Sequence, residues 1–171
     1  DNNIMCISEK CIVAVESIVP AFVKQLEENG VYYIDNETEM LQLTKTVLNH
    51  DMKMVRKMEG KSAMDILEEA GIHPNRPVRL GVVRTFAKHP LVLEECLMPV
   101  VPLVAVADFE EALETALFTE QGYRHTAMVH SQCIDRLSKA AKIMNTTVFI
   151  KNGSSLAGIG LNGEEMASFT I

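Results

Sequence analysis

The chain has 171 residues and a mass of 19.0 kDa, the size of one domain able to bury a substantial core. It is 47% hydrophobic, yet it lacks the unbroken apolar run of about 18 residues that a membrane span requires. A net charge of −7 and a pI near 5.2 argue against a nucleic-acid surface, which needs clustered Lys and Arg; the Lys57 and Lys61 pair reads as a solvated face.

Four cysteines, Cys6, Cys11, Cys96 and Cys133, have neither the density of a disulfide framework nor a CxxC pair or His partner at zinc spacing. No metal site is expected. The first residues lack the basic stretch and apolar run of a signal peptide, so a reducing, cytoplasmic home is expected. The chain opens without Met at "DNN" and stops at "SFTI" on what reads as mid-strand, which suggests a piece excised from a larger protein.

The first element, "CIVAVES", is short and rich in Ile and Val and reads as a buried strand that includes Cys11. "VPAFVKQLEENG" follows as a helix closed by Gly30, "VYYI" as a second strand, and "NETEMLQLTKTVLNH" as a second helix. "SAMDILEEAG" has the marks of a third helix, with Ser62 as N-cap, Asp65 in the first turn and Gly71 at the end. "VRLGVVRTF" and "VVPLVAVA" are apolar strands. Asp108 then caps "FEEALETALFTEQG", whose Glu residues crowd the first half as the helix dipole favours. "TAMVH", "SQCIDRLSKAAKIM" and "TTVFI" complete a strand, helix, strand run.

Strands alternating with helices of ten to fifteen residues predict an α/β domain, a doubly wound and mostly parallel sheet with helices on both faces. No repeat, low-complexity tract or linker divides it. In such sheets ligand-binding groups collect in loops at the carboxyl ends of strands, which makes those loops the first place to look.

Cys6 lies in a polar, turn-prone segment beside the Asn2 and Asn3 amides. At the start of a short helical turn a thiol would be activated by the local dipole, as a nucleophile requires; an inert buried thiol is the better fit to the residue type alone. Cys11, Cys96 and Cys133 read as core or semi-core. Glu94 and Glu95 stand between Pro90 and Pro99 on the way into a buried strand, where a carboxylate could accept hydrogen bonds from sugar hydroxyls; a surface pair near a helix end explains them as well. The match of Gly158, Gly160 and Gly163 in "GIGLNG" to GxGxxG lacks the following helix and distant acid of a dinucleotide site, and reads as a flexible loop. His125 and His130 flank a strand without an evident catalytic partner, and the ten Met residues are core filler.

Four segments, "DNNIMCISEK", "HPLVLEECLMPVVPLVAV", "YRHTAMVHS" and "TTVFIKNGSSLAGIGLNGE", in this order and spacing, resemble the catalytic domain of the CoA-acylating aldehyde dehydrogenases that act on propionaldehyde and acetaldehyde. The resemblance spans nearly the whole chain. It implies an aldehyde dehydrogenase catalytic domain over residues 1–171, with Cys6 as nucleophile, a thioester intermediate, NAD as hydride acceptor and coenzyme A as acyl acceptor. It further implies that the Cys6 N–H and an amide from elsewhere hold the oxyanion, and that Glu95 contacts the nicotinamide ribose. Ser155, Leu156 and Ala157 would shape the acyl site. Cys96 and Leu97 depart from the bulkier or Met residues of many relatives.

The same resemblance places a nucleotide-binding half before Asp1 and oligomerising segments after Ile171, so the 171 residues alone are expected to be inactive. A short aliphatic aldehyde as substrate, a homo-oligomeric full-length enzyme and an association with bacterial microcompartments are likewise implied. A hydrolytic aldehyde dehydrogenase and a non-catalytic scaffold relative are the competing readings.

Overall fold

The computed structural model describes residues 2–161, within which β-branched residues build the strands and polar side chains open most of the helices. In chain order the elements are β1 (Ile12–Val15), α1 (Val19–Glu28), β2 (Val31–Ile34), α2 (Glu37–Val47), α3 (Ala63–Glu69), β3 (Leu80–Thr85), α4 (Pro90–Leu93), β4 (Val100–Val106), α5 (Phe109–Glu120), β5 (Thr126–Val129), α6 (Ile134–Met144) and β6 (Val148–Lys151). A 3-10 turn, Ser155–Ile159, follows β6.

Helix starts are set by short-range hydrogen bonds that satisfy backbone donors left unpaired in a first turn. Asn36 accepts the Glu39 N–H at 2.9 Å, and Ser62 accepts the Asp65 N–H at 3.2 Å. Asp108 accepts the Glu111 N–H at 3.0 Å while the Glu111 carboxylate accepts the Ala107 N–H at 2.7 Å, a reciprocal box that fixes α5 where the sequence places it. Gln121 and Asn145, at φ of 57° and 48°, end α5 and α6 in left-handed conformation.

β1, β4, β3 and β2 lie side by side in that order as one parallel sheet. Side chains alternate between its faces. Ala14, Val31, Val82 and Leu103 point to the face covered by α1 through Val19, Phe22, Val23 and Leu26. On the opposite face Ile34, Val83 and Val100 meet Leu43 and Val47 of α2 and Ile66 and Leu67 of α3. Val13, Val15, Val104 and Val106 meet Val92 of α4 and Ala112 of α5 there. Leu103 is fully enclosed, and truncating such a side chain to Ala typically costs about 2–5 kcal/mol.

The α/β fold with parallel strands and helices on both faces agrees with the sequence expectation, with one correction. β5 and β6 do not join the four-stranded sheet; they form a separate two-stranded parallel pair. α5 bridges the two. Its Ala112 faces β1 and β4, while Phe109, Leu113 and Ala116 face the cluster of Ala127, Ala140, Met144 and Phe149.

The thiols are also redistributed. Cys11 lies immediately ahead of β1 rather than inside it, and Cys96 is buried as expected. Cys133 is exposed at the N-cap of α6, because the apolar stripe of that helix starts later and buries Ala140 and Met144 instead. Lys57 and Lys61 are more than a solvated face: both ammonium groups pair with Glu69, a surface network that adds little stability. Among the described residues no helix is long and apolar enough to cross a membrane.

The short α4 escaped sequence reading, since four residues carry no periodicity. It is opened by His89, only 6% exposed, whose Nδ1 accepts the Leu91 N–H at 3.2 Å and whose ring meets Phe86 edge-on at 5.4 Å. Burial holds this imidazole below its ordinary value of 6.5, and its Nδ1 can accept only while unprotonated. The unfolded chain takes up the proton more readily, so stability rises with pH across the window below 6.5 and is fully present above it. Urea unfolding should show stability falling as pH drops below about 6.5, and His89→Asn, a non-titrating cap, should flatten that slope.

Candidate active site

β1 and β4 are adjacent and parallel, so the loops that lead into them lie side by side at one edge of the sheet. The first carries Cys6 and the second carries Glu94 and Glu95. Both groups therefore meet at the amino ends of the strands, contrary to the expectation that carboxyl-end loops hold the site. The reason is local: both polar segments precede their strands in sequence.

The Cys6 loop is closed by its asparagines. Asn2 and Asn3 both have positive φ, 54° and 61°, a conformation that Asn tolerates better than most residues. Asn2 Nδ2 donates to the Gly60 carbonyl at 2.8 Å. Asn3 Nδ2 donates to the Glu9 carbonyl at 3.1 Å, cinching the loop across Cys6, and to the Met98 carbonyl at 3.2 Å, tying it to the β4 loop. Cys6 sits exposed in a turn closed by the Ser8 N–H on the Met5 carbonyl, while Ile7 beside it is buried. The turn is not a helix, so the dipole expected from sequence is absent there.

A cation stands behind this loop instead. The Lys10 ammonium donates to the Asn3 carbonyl. Burial pulls the Lys10 pKa down, and the neighbouring Glu95, Cys6, Cys96 and Glu9 act in the opposite direction. Lys10 thus lies within electrostatic range of both the Cys6 and the Glu95 loops.

The two glutamates divide the readings that the sequence left open. Glu94 directly follows α4, accepts from Lys53 Nζ at 2.8 Å and from the Met54 N–H at 3.3 Å, and so belongs to the scaffold. Glu95 is exposed, leaving its carboxylate accessible beside the Cys6 loop. The Gly60 N–H on the Leu97 carbonyl at 2.9 Å and the Leu97 N–H on Met54 Sδ at 3.3 Å hold this loop from the other side.

Ser155, Leu156 and Ala157 lie in the 3-10 turn after β6, and Ser155 ties that turn to the Cys6 loop through Glu9. Ser155 is 4% exposed, and Glu9 accepts both its N–H, at 3.2 Å, and its hydroxyl, at 3.1 Å. Gly158 allows the turn to press on β6, since a Cβ there would lie 2.6 Å from Val148 Cγ1. The segment takes up a 3-10 turn over Ser155–Ile159; Gly163 lies outside the described residues. Leu156 is exposed and Ala157 half-buried.

His125 pairs with the Thr126 hydroxyl at 2.7 Å, and His130 lines a separate open groove of about 580 Å³ with Ser131, Ile134 and Asn152. Sequence reading missed Glu9 and Lys10, whose partners lie at the far end of the chain or on another loop. The double Asn, a pair suited to left-handed backbone, was the one local signal of a tightly turned loop.

No family model matches the chain. It is 40% identical over its whole length to propanal dehydrogenase (CoA-propanoylating) of Salmonella typhimurium, and it spans 37% of that protein's length. The chain belongs to the family of CoA-acylating aldehyde dehydrogenases. It superimposes on propionaldehyde dehydrogenase of Rhodopseudomonas palustris, solved with bound CoA and an acylated cysteine, with a TM-score of 0.94 and 38% identity, covering 99% of this chain and 39% of that one. An engineered glycolyl-CoA reductase with bound NADP+ gives a TM-score of 0.95 at 39% identity, covering all of this chain and 39% of that one.

Burial pushes the Cys11 and Cys96 thiols up to about 12, whereas Cys6 and Cys133 are exposed. Iodoacetamide at about pH 8 should therefore alkylate the Cys6 and Cys133 peptides and spare the other two, as read by peptide mass spectrometry. Equal labelling of all four would contradict this packing.

Proposed function

We propose that this chain is the catalytic portion of a CoA-acylating aldehyde dehydrogenase that oxidises a short aliphatic aldehyde to an acyl-CoA through a thioester on Cys6. The observation that carries the reading is the convergence of an exposed Cys6, an accessible Glu95 and the Ser155–Ile159 turn on one cluster of hydrogen bonds centred on Asn3 and Glu9.

Each residue then has a definite task. The Cys6 thiolate attacks the aldehyde carbonyl carbon, forming a C–S bond and an alkoxide. The Cys6 N–H is the local donor for that oxyanion, completed by an amide outside residues 1–171. Loss of hydride from the thiohemiacetal carbon leaves the thioester. A nicotinamide dinucleotide, NAD or NADP, supplies the hydride acceptor, and the exposed Glu95 carboxylate suits hydrogen bonds from a ribose. The thiol of coenzyme A, as thiolate, then attacks the thioester carbonyl and releases the Cys6 thiolate. Leu156 and Ala157, held in place by Ser155, form part of the wall beside the acyl chain.

Two features of relatives support this reading: the bound CoA and acylated cysteine of the Rhodopseudomonas protein and the NADP+ of the engineered reductase. The nucleotide-binding half and the oligomer contacts belong to the complete protein.

The complete protein given propionaldehyde and NAD without CoA should carry a propionyl mass on the Cys6 peptide, and Cys6→Ala should abolish both the adduct and aldehyde oxidation. An unmodified Cys6 peptide in an actively turning-over enzyme would count against the mechanism.

A further inference from the structure

The Cys6 loop and the Ser155–Ile159 turn are each held by their own contacts. Asn3 cinches the first across Cys6 through the Glu9 carbonyl, and Gly158 packs the second on Val148. What remains is their position relative to each other. The Glu9 carboxylate spans that gap across 146 positions of sequence, taking the Ser155 N–H on one oxygen and the Ser155 hydroxyl on the other. Two bonds from one planar group to one residue define orientation as well as distance. Ser155 is 4% exposed, so its hydroxyl depends on this partner.

We propose that Glu9 is a positioning residue that sets aldehyde selectivity, by fixing the wall at Leu156 and Ala157 in register with the Cys6 sulfur. The inference rests on the function proposed above. Glu9 touches neither the reacting carbon nor the cofactor in that reading. It links the nucleophile, three residues before it, to the wall that limits acyl length. With the link cut, the wall can retreat and longer aldehydes lose their disadvantage. One methylene in an apolar pocket discriminates by roughly 10- to 200-fold, so a loosened wall is readily measured.

The test compares kcat/KM for propionaldehyde and hexanal in the complete wild-type protein, Glu9→Ala, Glu9→Gln, Ser155→Ala and the double Ala variant. Glu9→Ala should compress the propionaldehyde preference by about tenfold or more. Glu9→Gln should restore it, because the amide oxygen still accepts the Ser155 N–H and the amide nitrogen can donate to the Ser155 hydroxyl. Ser155→Ala should shift the ratio in the same direction, and the double variant should be no worse than Glu9→Ala alone. Hydrogen exchange in the Ser155–Ile159 amides should quicken in Glu9→Ala and recover in Glu9→Gln.

An equal loss of rate for both aldehydes, or an unchanged ratio with unchanged exchange, would overturn the proposal. Acyl-Cys6 in the wild type together with either of those results sinks this inference alone. Absence of acyl-Cys6 in the wild type sinks the functional reading, and this inference with it.

Discussion

The parallel pairing of β1 with β4 is the constraint on which the site depends. Ile12 lies opposite Leu103 and Val15 opposite Val106, and four apolar residues of β1 packed between two helical layers leave no freedom to slip register. Because the strands run the same way, the segments preceding them leave the same edge of the sheet together. The Asn3 amide then joins them, to the Glu9 carbonyl on one side and the Met98 carbonyl on the other. Sheet register is thereby converted into the relative placement of Cys6 and Glu95.

A half-buried cation, Lys10, stands behind the Cys6 loop. Lys10 sits among Glu9, Glu95, Cys6 and Cys96, and burial weakens its hold on the proton while those neighbours strengthen it. The adjacent glutamates are separated by the same economy of contacts. Lys53 and the Met54 N–H engage Glu94, whereas Glu95 faces solvent.

Most of the fold was legible because its signals are local. Asn36, Ser62 and Asp108 cap helices within three residues of themselves, and the β-branched runs at Ile12–Val15 and Val100–Val106 read as buried strands without knowledge of their partners. The separation of β5 and β6 from the main sheet was not, since Thr126–Val129 looks the same whichever neighbour it pairs with. Cys133 was misplaced because its apolar neighbour Ile134, 75% exposed, lies outside the buried stripe of α6. Within the site, Cys6, Glu95 and Ser155 came from family resemblance. Glu9 could not be found from sequence, as its partner is at the other end of the described chain. The Asn2–Asn3 pair was noted for its amides, yet its backbone conformation does as much to shape the loop.

Coupling of the Cys6 turn to an acyl acceptor is the central claim, and the most direct test is the steady-state formation of reduced nicotinamide by the complete protein with propionaldehyde, with and without coenzyme A. A strong dependence on coenzyme A, with propionyl-CoA as product, is the expected result. Equal rates without coenzyme A and release of propionate would contradict the acylating account and move the same cysteine to hydrolytic chemistry.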